Sequence, residues 1–211
     1  MNWLAHVFLS EPNVEFRLGN LLADIVKGSD RIGMSPQFLR GVSCHRAIDS
    51  FTDAHPVVRR SRSRISSPYR RFSGVLVDVF YDYFLATQWR TYSSVSLDAF
   101  TADFYTQATA CPITVPQPAR IAIDRIVQHD LLGQYRHIEG VERSLRRLSM
   151  RLTARWRKEF ALQHSVADLL ADESGFAADF AEFFPELQAH VDSQPTWNVV
   201  APSPSASEVP H

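Results

Sequence analysis

The stretch "SPQFLRGVSCHRAIDSFTDAHP", residues 35–56, decides the fold class. Ser35 offers a side-chain oxygen to cap a helix, Pro36 suits the first helical position, and Pro56 marks where that helix must already have ended. The segment therefore reads as one long, half-buried helix, yet between Gly41 and Pro56 it carries two histidines, an arginine and two aspartates. On a helix His45 and Asp49 stack one turn apart and Asp53 continues the line, so ligand-type groups converge on one face.

The helical period continues outward in both directions. "VEFRLGNLLADIVKG" (14–28) sets Phe16, Leu18, Leu21, Leu22, Ile25 and Val26 near a 3.6-residue repeat, with Gly28 as a stop signal. "SGVLVDVFYDYFLATQW" (73–89) also alternates at Val75, Val77 and Val79, but its length favours a helix over a strand. Further helical runs cover 96–110, 118–132, 141–160 and 165–191, with no series of strands and no repeat. These features predict an all-α chain: one compact helical bundle over residues 1–192, followed from Ser193 by a Pro/Ser-rich tail expected to be disordered.

Composition narrows the function classes. A chain of 211 residues suits one domain, and a formal net charge of -1 argues against a general nucleic-acid-binding surface. The two cysteines, Cys44 and Cys111, make no disulfide framework and fit a reducing cytoplasm. The apolar start "MNWLAHVFLSE" reaches Glu11 and Pro12 well short of the roughly 20 residues that span a bilayer, so neither export nor membrane insertion is expected.

Titratable groups recur inside apolar segments. Asp78 and Asp82 lie four apart in an otherwise apolar helix, where a carboxylate is costly unless a cation or hydrogen bonds compensate it. Asp24 ends another apolar stripe, and His6 sits among Trp3, Leu4, Val7 and Phe8. A divalent metal is the simplest compensator; imidazole and carboxylate without thiolate suit Mn²⁺ or Mg²⁺ and tolerate Fe²⁺ or Zn²⁺. Each piece also has a plain structural explanation. His6 fits a hydrogen-bonded core histidine, Asp78 and Asp82 fit partners of buried arginines, Asp24 with Lys27 fits a surface ion pair, and His45 with Asp49 fits an ordinary helix pair.

In order and separation, "MNWLAH", "GNLLADIVKG", "HRAIDSFTDAHP", "VDVFYDYFL" and Trp89 resemble the acyl carrier protein phosphodiesterase family, also called holo-acyl carrier protein hydrolase. The resemblance covers about residues 1 to 110. It implies an all-α, HD-domain-like fold and Mn²⁺-favoured hydrolysis of the phosphodiester joining 4′-phosphopantetheine to the carrier-protein serine. On that basis Asp24, His45 and Asp78 are expected as first metal ligands, with Asp49, Asp82 and His6 as further ligands or orienters. Asp24 and His45 are expected to take part in catalysis, and Lys27 and Arg46 to grip phosphate, although Arg46 equally fits a surface arginine. Where the family usually has Asp-His-Phe-Leu, this chain has Asp82-Tyr83-Phe84-Leu85, and a phenol cannot simply replace an imidazole ligand. The literal His129-Asp130 dipeptide lies beyond the resembling part and is read as incidental.

Residues 57–71 hold six arginines and no acid, residues 143–158 are also strongly basic, and acids gather in 165–192. An arginine-rich rim including Arg59 is expected to steer an acidic acyl carrier protein, a plain solvated basic face being the simpler alternative. Two other functions fit the same residues: an HD-like phosphohydrolase acting on a nucleotide or another small phosphodiester, and a non-catalytic helical protein that binds carrier protein.

Overall fold

Ser35 and Pro36 open the central helix as expected: the Ser35 hydroxyl accepts the Phe38 amide at 3.1 Å, and the helix runs Pro36–Ala54. The computed structural model describes residues 1–194, so most of the predicted tail lies outside the described residues. Eleven α-helices follow in order among the described residues, with no strand. They are α1 (Trp3–Phe8), α2 (Val14–Leu22), α3 (Pro36–Ala54), α4 (Pro56–Ser63), α5 (Ser73–Thr87), α6 (Trp89–Tyr92), α7 (Leu97–Ala110), α8 (Gln117–Gln128), α9 (Ile138–Trp156), α10 (Val166–Ala171) and α11 (Glu173–Asp192). The all-α class follows from the period, and α5 is a helix despite its alternating valines.

Two elements differ from the sequence pattern. The stripe expected to reach Gly28 leaves the helix at Leu22, because Arg31 donates to the carbonyls of Ala23 and Val26, both at 2.8 Å, and draws the chain into a turn. The acidic run 165–191 splits at Asp172, whose side chain accepts the Gly175 amide and starts α11 afresh.

The core is one cluster centred on α5 and α11, with Phe80, Tyr81, Phe84, Phe176, Phe180, Phe183 and Phe184 buried in mutual contact. Helices α2 and α3 pack backbone to backbone. A Cβ on Gly41 would overlap the Phe16 carbonyl and lie 2.8 Å from the Asn20 nitrogen, and one on Gly19 would overlap the Phe38 carbonyl. That approach lets the Asn20 carbonyl reach His45. No helix of the described residues is long and apolar enough to cross a membrane.

Candidate metal centre

His6 of α1, His45 of α3 and Asp49 of α3 meet at the α1–α2–α3 junction, and one candidate ligand atom from each lies within 4.8 Å of the others. The two imidazoles stack with centroids 4.2 Å apart. His6 Nε2 is 3.3 Å from Asp49 Oδ1, and His45 Nε2 is 3.1 Å from Asp49 Oδ2. Asp24, just past the end of α2, stands 3.7 Å from His45 Nε2 with its side chain 75% exposed.

Asn20 orients both rings. Its amide nitrogen faces the His6 main-chain carbonyl at 2.9 Å, which accepts only, so its Oδ1 accepts from His6 Nδ1 at 2.8 Å. The Asn20 main-chain carbonyl accepts from His45 Nδ1, also at 2.8 Å. Both Nδ1 atoms therefore carry hydrogen, and both Nε2 atoms face the Asp49 carboxylate, that of His6 as a lone pair and that of His45 protonated when no cation is bound. His6 Nε2 also faces the Met1 carbonyl at 3.2 Å. Acceptors aimed at acceptors need protons or a cation between them, so these residues fit a divalent metal that takes nitrogen and oxygen. Sequence reasoning passed over Asn20; a buried amide in the Phe16–Leu22 apolar stripe was the available signal.

The charges of the cluster are linked. Burial holds His6 below its ordinary value, to about 4. Burial also pulls on His45, but hydrogen bonds that its ring donates to Asp24 and Asp49 outweigh it and raise this imidazole to about 9. Hydrogen bonding to His45 holds Asp24 well below the usual carboxylate range; Asp49, although half-buried, is held low by His45 and His6. His6 therefore stabilises the metal-free fold above its ordinary value of 6.5, and this is lost as pH falls through about 4. His45 stabilises it below 6.5, and this is lost as pH rises through about 9. Thermal unfolding in EDTA should therefore show a Tm that falls as pH rises from 6.5 to 9. A Tm that is flat or rises over that range would contradict this charge arrangement.

A family model for acyl carrier protein phosphodiesterase matches residues 1–187. The chain belongs to that family. An acyl carrier protein phosphodiesterase of Serratia proteamaculans is 31% identical over 189 residues, spanning 89% of this chain and 95% of that protein. One from Salmonella dublin is 32% identical over 191 residues, 90% and 96% of the two chains. A protein of the same name from Yersinia pestis is 42% identical over 89 residues, 42% of this chain and 46% of its own. No solved structure matches.

The remaining expected residues divide. Asp78 Oδ1 pairs with the buried Met1 α-amino group at 3.2 Å, and that amine also lies 3.4 Å from Asp49, so Asp78 joins the cluster through the ammonium rather than beside His45. Asp82 does not join it. Its two oxygens accept the Leu4 amide at 2.7 Å and the Ala5 amide at 3.1 Å, completing the first turn of α1, and this corrects its expected role as a ligand. Burial raises the Asp82 carboxyl to about 7. Lys27 pairs with Asp24 at 3.1 Å, Arg46 is exposed, and both line a cleft of about 480 Å³ with Arg31, which the sequence pattern had not marked.

Tyr83, the departure from the family pattern, donates to Glu173 of α11 at 2.8 Å; no contact joins it to the His6–His45–Asp49 cluster among the described residues. Asp130 closes α8 by accepting from Tyr105 and the Gly133 amide, while His129 is exposed beside it. The expected arginine rim is neutralised in part: Arg60 and Arg64 pair with Asp179 and Arg62 with Asp53, whereas Arg59 donates only to the Ala54 carbonyl.

Asn20→Ala should keep the fold but lower Mn²⁺ affinity about 10- to 100-fold, as loss of a ligand-orienting partner does elsewhere. Isothermal titration checks it, and unchanged affinity would show that the rings need no such anchor.

Proposed function

We propose that this chain is a metal-dependent phosphodiesterase that hydrolyses 4′-phosphopantetheine from the serine of holo-acyl carrier protein, leaving the apo form. The observation that carries the chemistry is the pair of Asn20-oriented imidazoles turned on Asp49. His6, His45 and Asp49 would hold the cation, Mn²⁺ by preference with Mg²⁺ or Fe²⁺ as alternatives, and Asp78 would balance charge behind them. When bound, the cation supplies Lewis acidity and a lowered pKa for water. Asp24, at the mouth of the cleft and 3.7 Å from His45 Nε2, would orient the attacking water through a hydrogen bond to its carboxylate. Lys27, Arg31 and Arg46 would face the phosphate oxygens and offset their charge.

Family membership and the cleft lining favour the carrier protein over a nucleotide. The cleft is bounded by Ala23, Asp24, Lys27, Gly28, Arg31, His45, Arg46 and Asp49, with no Phe, Tyr or Trp among these described residues on which a base would stack. We read the protein as cytoplasmic, with free buried Cys44 and Cys111, and as having no nucleic-acid or membrane partner. Kinship with HD-domain hydrolases is part of the same reading; it rests on His and Asp converging within a helical bundle, not on the His129-Asp130 dipeptide.

The test is the intact mass of holo-carrier protein after incubation with the Mn²⁺-loaded protein. The reading expects loss of the phosphopantetheinyl mass, abolished by EDTA. An unchanged carrier with metal bound would overturn it, and so would equal loss in EDTA, for the metal requirement.

A further inference from the structure

With Arg60, Arg62 and Arg64 paired to carboxylates, a run of arginines with no ion pair among the described residues lies on α9. Arg143, Arg147, Arg151 and Arg155 recur every four residues and form a ladder about 18 Å long at 1.5 Å per residue. Like charges at this spacing oppose one another on an isolated helix, and here no carboxylate offsets them: among the described residues no ion pair involves an α9 arginine. Arg143 donates only to the Gln134 side-chain carbonyl, and Arg155 lies over the Trp156 ring at 5.8 Å. Arg147 is half-buried, and its guanidinium is disfavoured by that burial and by Arg143 and Arg151 on either side.

Two apolar side chains stand beside the ladder. Met150 is 59% and Trp156 58% exposed, and Arg71, from the turn before α5, also lies over the Trp156 ring, at 6.0 Å. Met150 shares the open side of the ladder and Trp156 flanks its last rung; arginine, methionine and tryptophan are residue types enriched where proteins meet. The ladder also begins near the cluster. Ser144, next to Arg143, is 3.2 Å from the Tyr135 hydroxyl, which accepts from Asn2 at 2.8 Å, and Asn2 follows the Met1 whose carbonyl faces His6.

We propose that the α9 ladder, with Met150 and Trp156, is the surface on which an acidic helix of the carrier protein docks. The inference rests on the carrier-protein reading above and places the partner on α9 instead of on the α4 arginines. An acidic helix repeats its carboxylates every three or four residues and matches the rungs in spacing and sign.

The test uses the full chain with Mn²⁺ and two variants: Arg143→Gln, Arg147→Gln, Arg151→Gln and Arg155→Gln together, and the same set without the half-buried Arg147. KM for holo-carrier protein should rise about tenfold or more, with kcat within about twofold, and binding of labelled apo-carrier protein should weaken in parallel. The parent's advantage should shrink with added salt as screening shortens the Debye length to about 3 Å at 1 M. Loss of apo-carrier binding in the variants supports the docking surface even if no hydrolysis is seen in the parent. Unchanged KM and binding in both variants, with an active parent, overturns the docking surface alone. A parent that neither binds nor hydrolyses carrier protein removes the carrier-protein reading and this surface with it. A parent that binds a single-stranded RNA more tightly than carrier protein also overturns the assignment.

Discussion

His45→Ala is expected to lower kcat/KM on holo-carrier protein by about 10³-fold or more, equivalent to roughly 4 kcal/mol of lost transition-state stabilisation. Two states of the site end with this one ring. With the cation bound, Nε2 would coordinate it; without the cation, the protonated Nε2 faces Asp49 at 3.1 Å and Asp24 at 3.7 Å. Removing it also leaves Asp24 and Asp49 without the imidazole that each faces, so Mn²⁺ affinity should fall with activity. His129→Ala, at an exposed position after α8, should change neither property. Equal losses in the two variants would assign the centre to the wrong histidine.

Gly41→Ala is expected to destabilise the protein by about 3 kcal/mol or more, lowering Tm by roughly 6–12 °C, because the added methyl meets main chain and not a movable side chain. Its Cβ would overlap the Phe16 carbonyl and crowd the Asn20 nitrogen at 2.8 Å. Relief requires α2 and α3 to separate, and separation lifts the Asn20 carbonyl away from His45 Nδ1. Mn²⁺ affinity should therefore drop even in the fraction that stays folded. Gly74→Ala is the control: its Cβ would lie 3.4 Å from the end of the Arg62 side chain, which can move, and Tm should change little. Similar Tm values for both variants would mean that the α2–α3 contact is looser than described.

The helices were readable because their causes are local. Ser35, Pro36 and Pro56 delimit α3, and the spacing of four that stacks His45 on Asp49 holds in the folded chain. What was not readable depended on which elements meet. No spacing joins His6 to His45, since they lie on separate helices brought together by the glycine contact of α2 and α3 and by Asp82 holding α1. Asp82 has the pattern of a ligand and instead accepts two helix-terminal amides, a role visible only once α1 is placed against α5. The basic runs looked equivalent in the sequence. They separate because α11 supplies acids to α4 and none to α9.

The most direct measurement of the central claim is anomalous diffraction at the manganese edge from crystals grown with Mn²⁺. A peak coordinated by His6 Nε2, His45 Nε2 and an Asp49 carboxylate oxygen, with ligand distances of about 2.0–2.3 Å, is the expected result. A peak held elsewhere without the two imidazoles, or no peak in crystals of protein that hydrolyses holo-carrier protein, would contradict the claim that this cluster is the metal centre.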